Sequence, residues 1–432
     1  MNRQSLSKIL VEACRFLLGA VFLFSGATKA VDPQGGAIKI TDYLVAFGLD
    51  ALQGLSRFFA FNLFAFEFTL GVTLLLGVYR RYAAWLTLLL MAFMTALTLY
   101  LALFDPVSDC GCFGDALVLT NWQTFFKNVV LLAAACYLWL HNQRLLRGFS
   151  RRAYWFGPLW SYLFICGFAY HNYMHLPIVD FRPYKIGVNI QAERMIPDDA
   201  PQDEYRYAFI YEKEGVRKEF GLEDAPAEDS TWTFVESRTE LLKQGYVPPI
   251  HDFVIHDMAG EEVTDQLLDD PQPLFLLIAP HLAEADDEHI DQINDAYDYS
   301  LTHGMRFYCV TASTEQEITE WEERTGAEYP YLRADDTLLK TIIRSNPGLL
   351  LLREGTIRMK WHHNDIPAEE QWSEEIAFYL DENRDPKAQE EGRLMTNILT
   401  FTVPLSLIWL YDLLRHRIRG KKRKRTKGEE TE

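Results

Sequence analysis

From Tyr82 to Phe104 the chain carries no charged side chain. A helix rising about 1.5 Å per residue crosses a hydrocarbon core of about 30 Å in roughly 17 to 25 mostly apolar residues, so this run alone commits the chain to a bilayer. Comparable runs cover about Leu10 to Ala30, Phe58 to Tyr79 and Trp122 to Leu140. Two weaker ones cover Tyr154 to Tyr170 and Ile398 to Leu414, the latter holding Pro404 and Asp412. The first run includes Phe24-Ser25-Gly26-Ala27-Thr28-Lys29 and ends without a small-residue cleavage site, so it reads as a retained helix rather than a secretory signal.

Six spans are therefore expected, and basic residues orient them. Arg3, Lys8 and Arg15 precede or begin the first span, Arg80 and Arg81 join the second to the third, and Arg144, Arg147, Arg151 and Arg152 join the fourth to the fifth. Loops rich in Lys and Arg stay in the cytoplasm. The terminal cluster Lys421, Lys422, Arg423, Lys424, Arg425 and Lys427 falls on the same side, as a membrane-flanking tail. Residues 31–57, 105–121 and about 172–393 then face outward, into the periplasm of a bacterial inner membrane.

The formal net charge of −18 belongs to the outward segment, which is rich in Asp and Glu between Asp180 and Glu391. Such a surface does not attract a polyanion, so nucleic acid is not an expected partner. The division expected is a four-helix transmembrane domain at 1–145, a fifth span at 146–175, a small β-rich connector at 176–246, an α/β domain at 247–393, a last span at 394–416 and a basic tail at 417–432. No glycine-rich phosphate loop, Gly-x-Ser-x-Gly elbow or His-Glu-x-x-His motif is present, which argues against nucleotide hydrolysis, serine esterase and zinc protease chemistry.

The outward loop between the third and fourth spans reads Asp105-Pro106-Val107-Ser108-Asp109-Cys110-Gly111-Cys112-Phe113-Gly114-Asp115. Two cysteines thus sit one residue apart at the membrane surface. A disulfide between them closes a very small ring, and departure from relaxed geometry makes a disulfide easier to reduce, which suits exchange. A static loop disulfide, two reduced thiols and a metal site with Asp109 and Asp115 remain open beside that reading. Cys14, Cys136, Cys166 and Cys309 read as small buried hydrophobes. Glu67, the acidic residue near the middle of a span, is costly in lipid unless it faces a partner. Pairing with Lys29 or a structural hydrogen bond between helices would satisfy it, while Lys29 could instead extend toward the interface. Thr120 with Gln123 forms a predicted capping box for the fourth span.

These residues resemble a known family. Phe-Ser-Gly-Ala-Thr-Lys in the first span, Val31-Asp32-Pro33 after it, Glu67 and the Cys-Gly-Cys-Phe-Gly loop are similar to the DoxX and MauE group of bacterial membrane proteins, over about Leu10 to His141. A role in forming the disulfides of methylamine dehydrogenase is attributed to MauE. The plan is also similar to that of quinone-linked disulfide-forming proteins of the DsbB and vitamin K epoxide reductase type. The resemblance implies an exchange role for Cys110 and Cys112, and a quinone cofactor whose headgroup Glu67 or Lys29 would contact. Those relatives use two outward cysteine pairs, and one is found here.

In the outward domain, Pro248 to Val263 reads as a β-hairpin about Ala259-Gly260, followed by a strand at Leu274–Ala279, a helix from Glu284 to His303, a strand at Met305–Thr311 and a helix from Thr314 to Thr325. Asn346-Pro347 opens a second hairpin, Gly348–Leu352 and Ile357–Trp361, and a last helix runs from Ala368 to Glu382. The order ββαβαββα resembles the thioredoxin fold in its peroxiredoxin and TlpA-like form, with Pro347 in the place of that family's cis-proline. Where the family carries Cys-x-x-Cys, this chain reads Pro280-His281-Leu282-Ala283-Glu284 and has no thiol. The seven histidines between His251 and His363 show no ligand spacing and read as solvated. The expectation is a membrane helical bundle with a thiol-free thioredoxin-like domain, exchanging disulfides with a periplasmic protein client. A non-enzymatic scaffold binding an envelope protein, and an accessory subunit of a quinone-linked oxidase, are the rivals.

Overall fold

The computed structural model describes residues 3–429 apart from 108, 145–148, 151, 214, 222–223, 225–230, 244 and 382–384. Arg147, Arg151 and the side chains of the basic tail lie outside the described residues.

The bundle comprises α1 (Arg3–Val31), α2 (Pro33–Ala46), α3 (Ser56–Leu76), α4 (Arg80–Phe104), α5 (Asn121–His141) and α6 (Phe156–Met174). Five segments are long and apolar enough to cross a membrane: Leu6–Val31, Asp50–Leu76, Arg80–Phe104, Asn121–His141 and Pro386–Arg415. The expected fifth span is present as the helix α6 but falls short of a span by composition, because His171 and Asn172 dilute its end and Gly157 and Pro158 its start. It still packs along α3 through buried Ile165 and Ala169.

The crossing of α1 and α3 is set by glycine. A Cβ on Gly26 would meet the backbone of Phe68 at 2.5 Å, and one on Gly71 the backbone of Leu23 at 2.5 Å. Small residues let helices in lipid approach to backbone contact. On the other side α5 begins with the expected capping box: the Gln123 amide donates to Thr120 Oγ1 at 3.3 Å and the Thr120 amide to Gln123 Oε1 at 3.1 Å.

The outward stretch 31–57, expected only as a loop, contains α2. Asp32 caps it by accepting from the Gly35 amide at 2.8 Å, and Pro33 occupies the first turn, where its missing N–H costs nothing.

After a short helix α7 (Ile190–Arg194), the strands β1 (Glu204–Lys213), β2 (Val216–Phe220) and β3 (Thr233–Lys243) form an antiparallel sheet in the order β2-β1-β3, the β-rich connector. The α/β domain continues through α8 (Thr264–Leu268), β4 (Leu274–Ala279), α9 (Ile290–Thr302), β5 (Arg306–Thr311), α10 (Glu315–Thr325), β6 (Tyr331–Arg333), α11 (Asp336–Ile342), β7 (Gly348–Arg353), β8 (Thr356–His362) and α12 (Trp372–Tyr379). The sheet order is β6-β5-β4-β7-β8, with β4–β5 and β5–β6 parallel and β4–β7 and β7–β8 antiparallel. Every residue of β4 is buried, as a central strand covered on both faces requires, and apolar clusters fill each side. This is the thioredoxin-like arrangement, and the Asn346–Pro347 bond before β7 is cis.

Two expectations are corrected. The hairpin across Pro248–Val263 shrinks to a turn with one bridge, His256 to Glu262, because His256 spends its backbone N–H and C=O on Arg333 beside β6. The three-residue β6 was not foreseen, being too short to show a period.

The last helix, α13 (Pro386–Glu429), returns along α6, where the Trp160 indole donates to the Phe401 carbonyl at 3.0 Å. Ser150 Oγ bonds Asp412 at 2.6 Å at one end of these helices, and Asn172 Nδ2 donates to the Ala30 carbonyl at 3.0 Å at the other. The α/β domain sits on this second end. Arg344 Nε reaches Asp32 Oδ2 at 2.9 Å, and Asn364 Nδ2 donates to the Met174 carbonyl at 2.8 Å. Lys360, fully enclosed, donates to Asp180 Oδ2 and the Tyr184 carbonyl, both at 2.8 Å, and to the Ile342 carbonyl at 3.0 Å.

Candidate functional site

The α4–α5 loop lies at the same end, beneath the α/β domain. Its turn is built by Asp109, whose Oδ1 accepts from the Gly111 amide at 2.8 Å and whose Oδ2 pairs with Lys39 of α2 at 2.6 Å. Gly111 takes φ +62°, a left-handed conformation that favours glycine, and so aims the flanking cysteines inward. Cys110 and Cys112 are 7% and 9% exposed and packed against Leu101 and Tyr43. Both are thiols in this structure.

Two side chains hold the loop carbonyls of the pair, and an ionic network stands behind them. The Tyr43 hydroxyl donates to the Cys110 carbonyl at 2.7 Å. Ser25 Oγ lies 2.7 Å from the Cys112 carbonyl and 2.9 Å from Glu67 Oε2. Lys29 Nζ reaches Glu67 Oε1 at 2.9 Å and Oε2 at 2.8 Å. Lys127 Nζ stands 4.1 Å from the centroid of the Phe113 ring, next to Cys112. Lys29 does not extend toward the interface: it is 9% exposed and turned onto Glu67, which is 2% exposed.

The surroundings make the two sulfurs unequal. The hydrogen bond from the Cys110 thiol holds the Cys112 pKa below the ordinary thiol value, outweighing burial, with the Lys127 and Lys29 ammonium groups adding to the effect. That same hydrogen bond, then burial, pushes Cys110 up. A thiolate rather than a thiol is the reactive species, and Cys112 is the more readily ionised sulfur of the two.

A groove of ≈ 1180 Å³ opens beside Cys110. Its polar part lies between α2 and α11 and includes Lys39, Asp336, Lys340 and Arg344; its apolar part runs between α3 and α4 past Phe59, Phe93 and Met94. Lys29, Tyr43 and Cys110 line it, and Glu67 and Cys112 do not. Among the described residues no three His, Cys, Asp or Glu side chains converge as metal ligands.

The α/β domain offers no second exchange centre. Residues 280–284 carry no thiol, His281 Nε2 instead meets Asp336 Oδ1 at 3.0 Å, and Cys309 is enclosed in β5 with its thiol pushed up by burial. Of the other cysteines read as buried, Cys136 faces out of the bundle.

Residues 7–141 match the family model of methylamine utilisation protein MauE. The match covers the bundle from α1 to α5 and takes in Ser25, Lys29, Glu67, Cys110 and Cys112. Residues 205–244, the three-stranded connector, match a domain of unknown function, DUF8463. No curated protein matches the chain. Among solved structures, StoA from Bacillus subtilis is 17% identical, covering 28% of this chain and 93% of its own, with a TM-score of 0.23. A secreted Mycobacterium tuberculosis disulfide oxidoreductase homologous to E. coli DsbE is 10% identical, covering 29% of this chain and 96% of its own, with a TM-score of 0.23. The chain is thus a membrane protein joining a MauE-like bundle to a thioredoxin-like domain.

Ser25, Tyr43 and Lys127 were not singled out from the sequence. Lys127 left a signal, a lone cation inside an apolar span. Tyr43 left none, since nothing in the sequence places α2 against the loop.

Proposed function

We propose that this chain is a membrane thiol-disulfide oxidoreductase whose exchanging pair is Cys110 and Cys112. One observation carries the reading: Cys110 lines a groove directly under a docked thioredoxin-like domain, with Cys112 next to it and the Lys29 and Lys127 ammonium groups acting on Cys112. Basic residues such as Arg80, Arg81 and Arg152 crowd the opposite end of the bundle, so we orient the cysteines and the α/β domain outward, toward the periplasm of a bacterial inner membrane. The α/β domain, whose one thiol, Cys309, is enclosed in β5, binds a protein client and holds its cysteines above the loop.

A quinone fits the groove as the electron acceptor. The apolar walls at Phe59, Phe93 and Met94 give a lipid-soluble molecule a route from the bilayer, and the polar end at Lys29 and Tyr43 suits an uncharged headgroup with acceptor oxygens. When bound, a quinone supplies a sink for two electrons and two protons. Lys29 lines this end directly, and Glu67 acts one step behind it by fixing the ammonium group.

The test uses full-length protein oxidised in detergent and mixed with a reduced, unfolded protein bearing one native disulfide. Wild type forms that disulfide, and the Cys110→Ala/Cys112→Ala double variant does not. Equal rates for the two would leave the scaffold reading in possession.

A further inference from the structure

The exchange reading leaves the two sulfurs interchangeable, and the geometry does not. Cys110 and Gly111 line the groove and Cys112 does not. The Cys112 carbonyl is tied to Ser25, which in turn touches Glu67, so the second sulfur belongs to the buried ionic network of α1 and α3. Cys112 is followed at once by Phe113, which packs on Phe24 with ring centroids 5.4 Å apart and carries Lys127 over its face. Lys127 and Lys29 both favour the anionic form of Cys112. Cys110 has the opposite setting: a groove in front, and the Tyr43 hydroxyl against its backbone.

Resting on that reading, we propose a division of labour: Cys110 is the sulfur an incoming client thiolate attacks, Cys112 is the sulfur that leaves, and Lys127 is a positioning residue for the leaving thiolate.

The step balances as follows. A client thiolate attacks Cys110 Sγ in the oxidised pair, a client–Cys110 disulfide forms, the Cys110–Cys112 bond breaks, and its electron pair departs on Cys112 as a thiolate between the lysines. A second client thiol, losing its proton, then attacks the client sulfur of the mixed disulfide. The client disulfide forms, and Cys110 leaves and takes that proton. The client has lost two electrons and the pair has gained them. Leaving-group sulfurs of lower pKa leave faster, and access decides which sulfur is attacked, so the groove and the lysines select the same direction.

The experiment uses full-length protein in detergent with Cys14, Cys136, Cys166 and Cys309 replaced by Ala, so that each variant keeps one thiol of the pair, and a one-cysteine peptide presented as its mixed disulfide with thionitrobenzoate. Cys112→Ser, which keeps the groove-lining thiol and removes the neighbouring thiol whose hydrogen bond raises it, captures the peptide and releases coloured thionitrobenzoate faster than Cys110→Ser, as access dictates. Capture by Cys110→Ser at the same rate or faster overturns the division of labour and leaves exchange itself standing. Capture by neither variant, with both still alkylated after unfolding, overturns this proposal and the exchange reading together. For Lys127, the wild-type pair is alkylated across pH: Lys127→Gln moves the midpoint upward and Lys127→Arg returns it. An unmoved midpoint in Lys127→Gln removes Lys127 from the mechanism.

Discussion

Lys29 and Glu67 form a two-pronged ion pair inside the bundle, with the ammonium group 2.9 Å from one carboxylate oxygen and 2.8 Å from the other. The pair exists because Gly26 and Gly71 let α1 and α3 touch at backbone distance, which leaves Ser25 and Lys29 facing Glu67. Through Ser25 the pair also grips the Cys112 carbonyl, so a charge network in the membrane region holds the geometry of a loop outside it.

Breaking one partner of a buried ion pair leaves an uncompensated charge. Glu67→Leu is expected to destabilise the bundle by about 3–5 kcal/mol, and the double variant Lys29→Met/Glu67→Leu to regain most of that loss. Thermal unfolding in detergent, followed by tryptophan fluorescence, measures both. A double variant as unstable as the single one would show that the carboxylate acts through Ser25 alone.

Gly26→Leu forces the helices apart, since even a Cβ there meets the Phe68 backbone at 2.5 Å. Overpacking of this kind costs about 1–3 kcal/mol. The expected signature is a Cys110–Cys112 pair that alkylates faster in the folded protein, because the Ser25 tether has moved.

Arg344 joins the α/β domain to the bundle through Asp32 at 2.9 Å, with Asp115 at 3.9 Å. Arg344→Ala should raise amide exchange in α11 and at the start of α2, at a cost of about 1–3 kcal/mol for a charged hydrogen bond lost from a shielded site. The pH dependence has a definite sign. Burial, then Asp32, raises the pKa of Asp115, so the docked state binds a proton more tightly than the undocked one and docking weakens as pH rises through that raised value. Without Arg344 this opposition grows, and mild acid should partly restore docking in the variant. Exchange that is faster in the variant by the same factor at every pH would contradict it.

The cysteine pair should react with an alkylating agent with a midpoint below the ordinary thiol value of about 8.5, because the surroundings lower the Cys112 pKa. Rate measured against pH on the reduced protein checks this, the thiolate fraction and hence the rate falling as pH drops through the midpoint. A midpoint at the ordinary value would contradict the lowering at Cys112, from its hydrogen bond to Cys110 first and from the lysines after it.

The sequence shows the helices of the bundle because lipid demands long uncharged runs, and Tyr82 to Phe104 meets that demand without ambiguity. It shows β4 and β7 for a similar reason, since strands buried on both faces read as continuous apolar runs. It hides α2, whose start at Asp32-Pro33 has a cap and a proline but no apolar period long enough to stand out. It hides the pairing of Tyr43 with Cys110 and of Arg344 with Asp32, because separations of 67 and 312 residues leave no local trace. The Glu67–Lys29 pair lies between these cases: the cost of a carboxylate in lipid announces that a partner exists, and only the glycine crossing decides which one.

Exchange requires that the two sulfurs change their bonding. Full-length protein equilibrated across a series of thiol–disulfide buffers, quenched by alkylation and digested, reports the fraction of Cys110 and Cys112 joined at each poise by mass spectrometry. A single two-electron transition between dithiol and disulfide inside that series is the predicted result, and a pair that holds one state from the most reducing to the most oxidising buffer would contradict it.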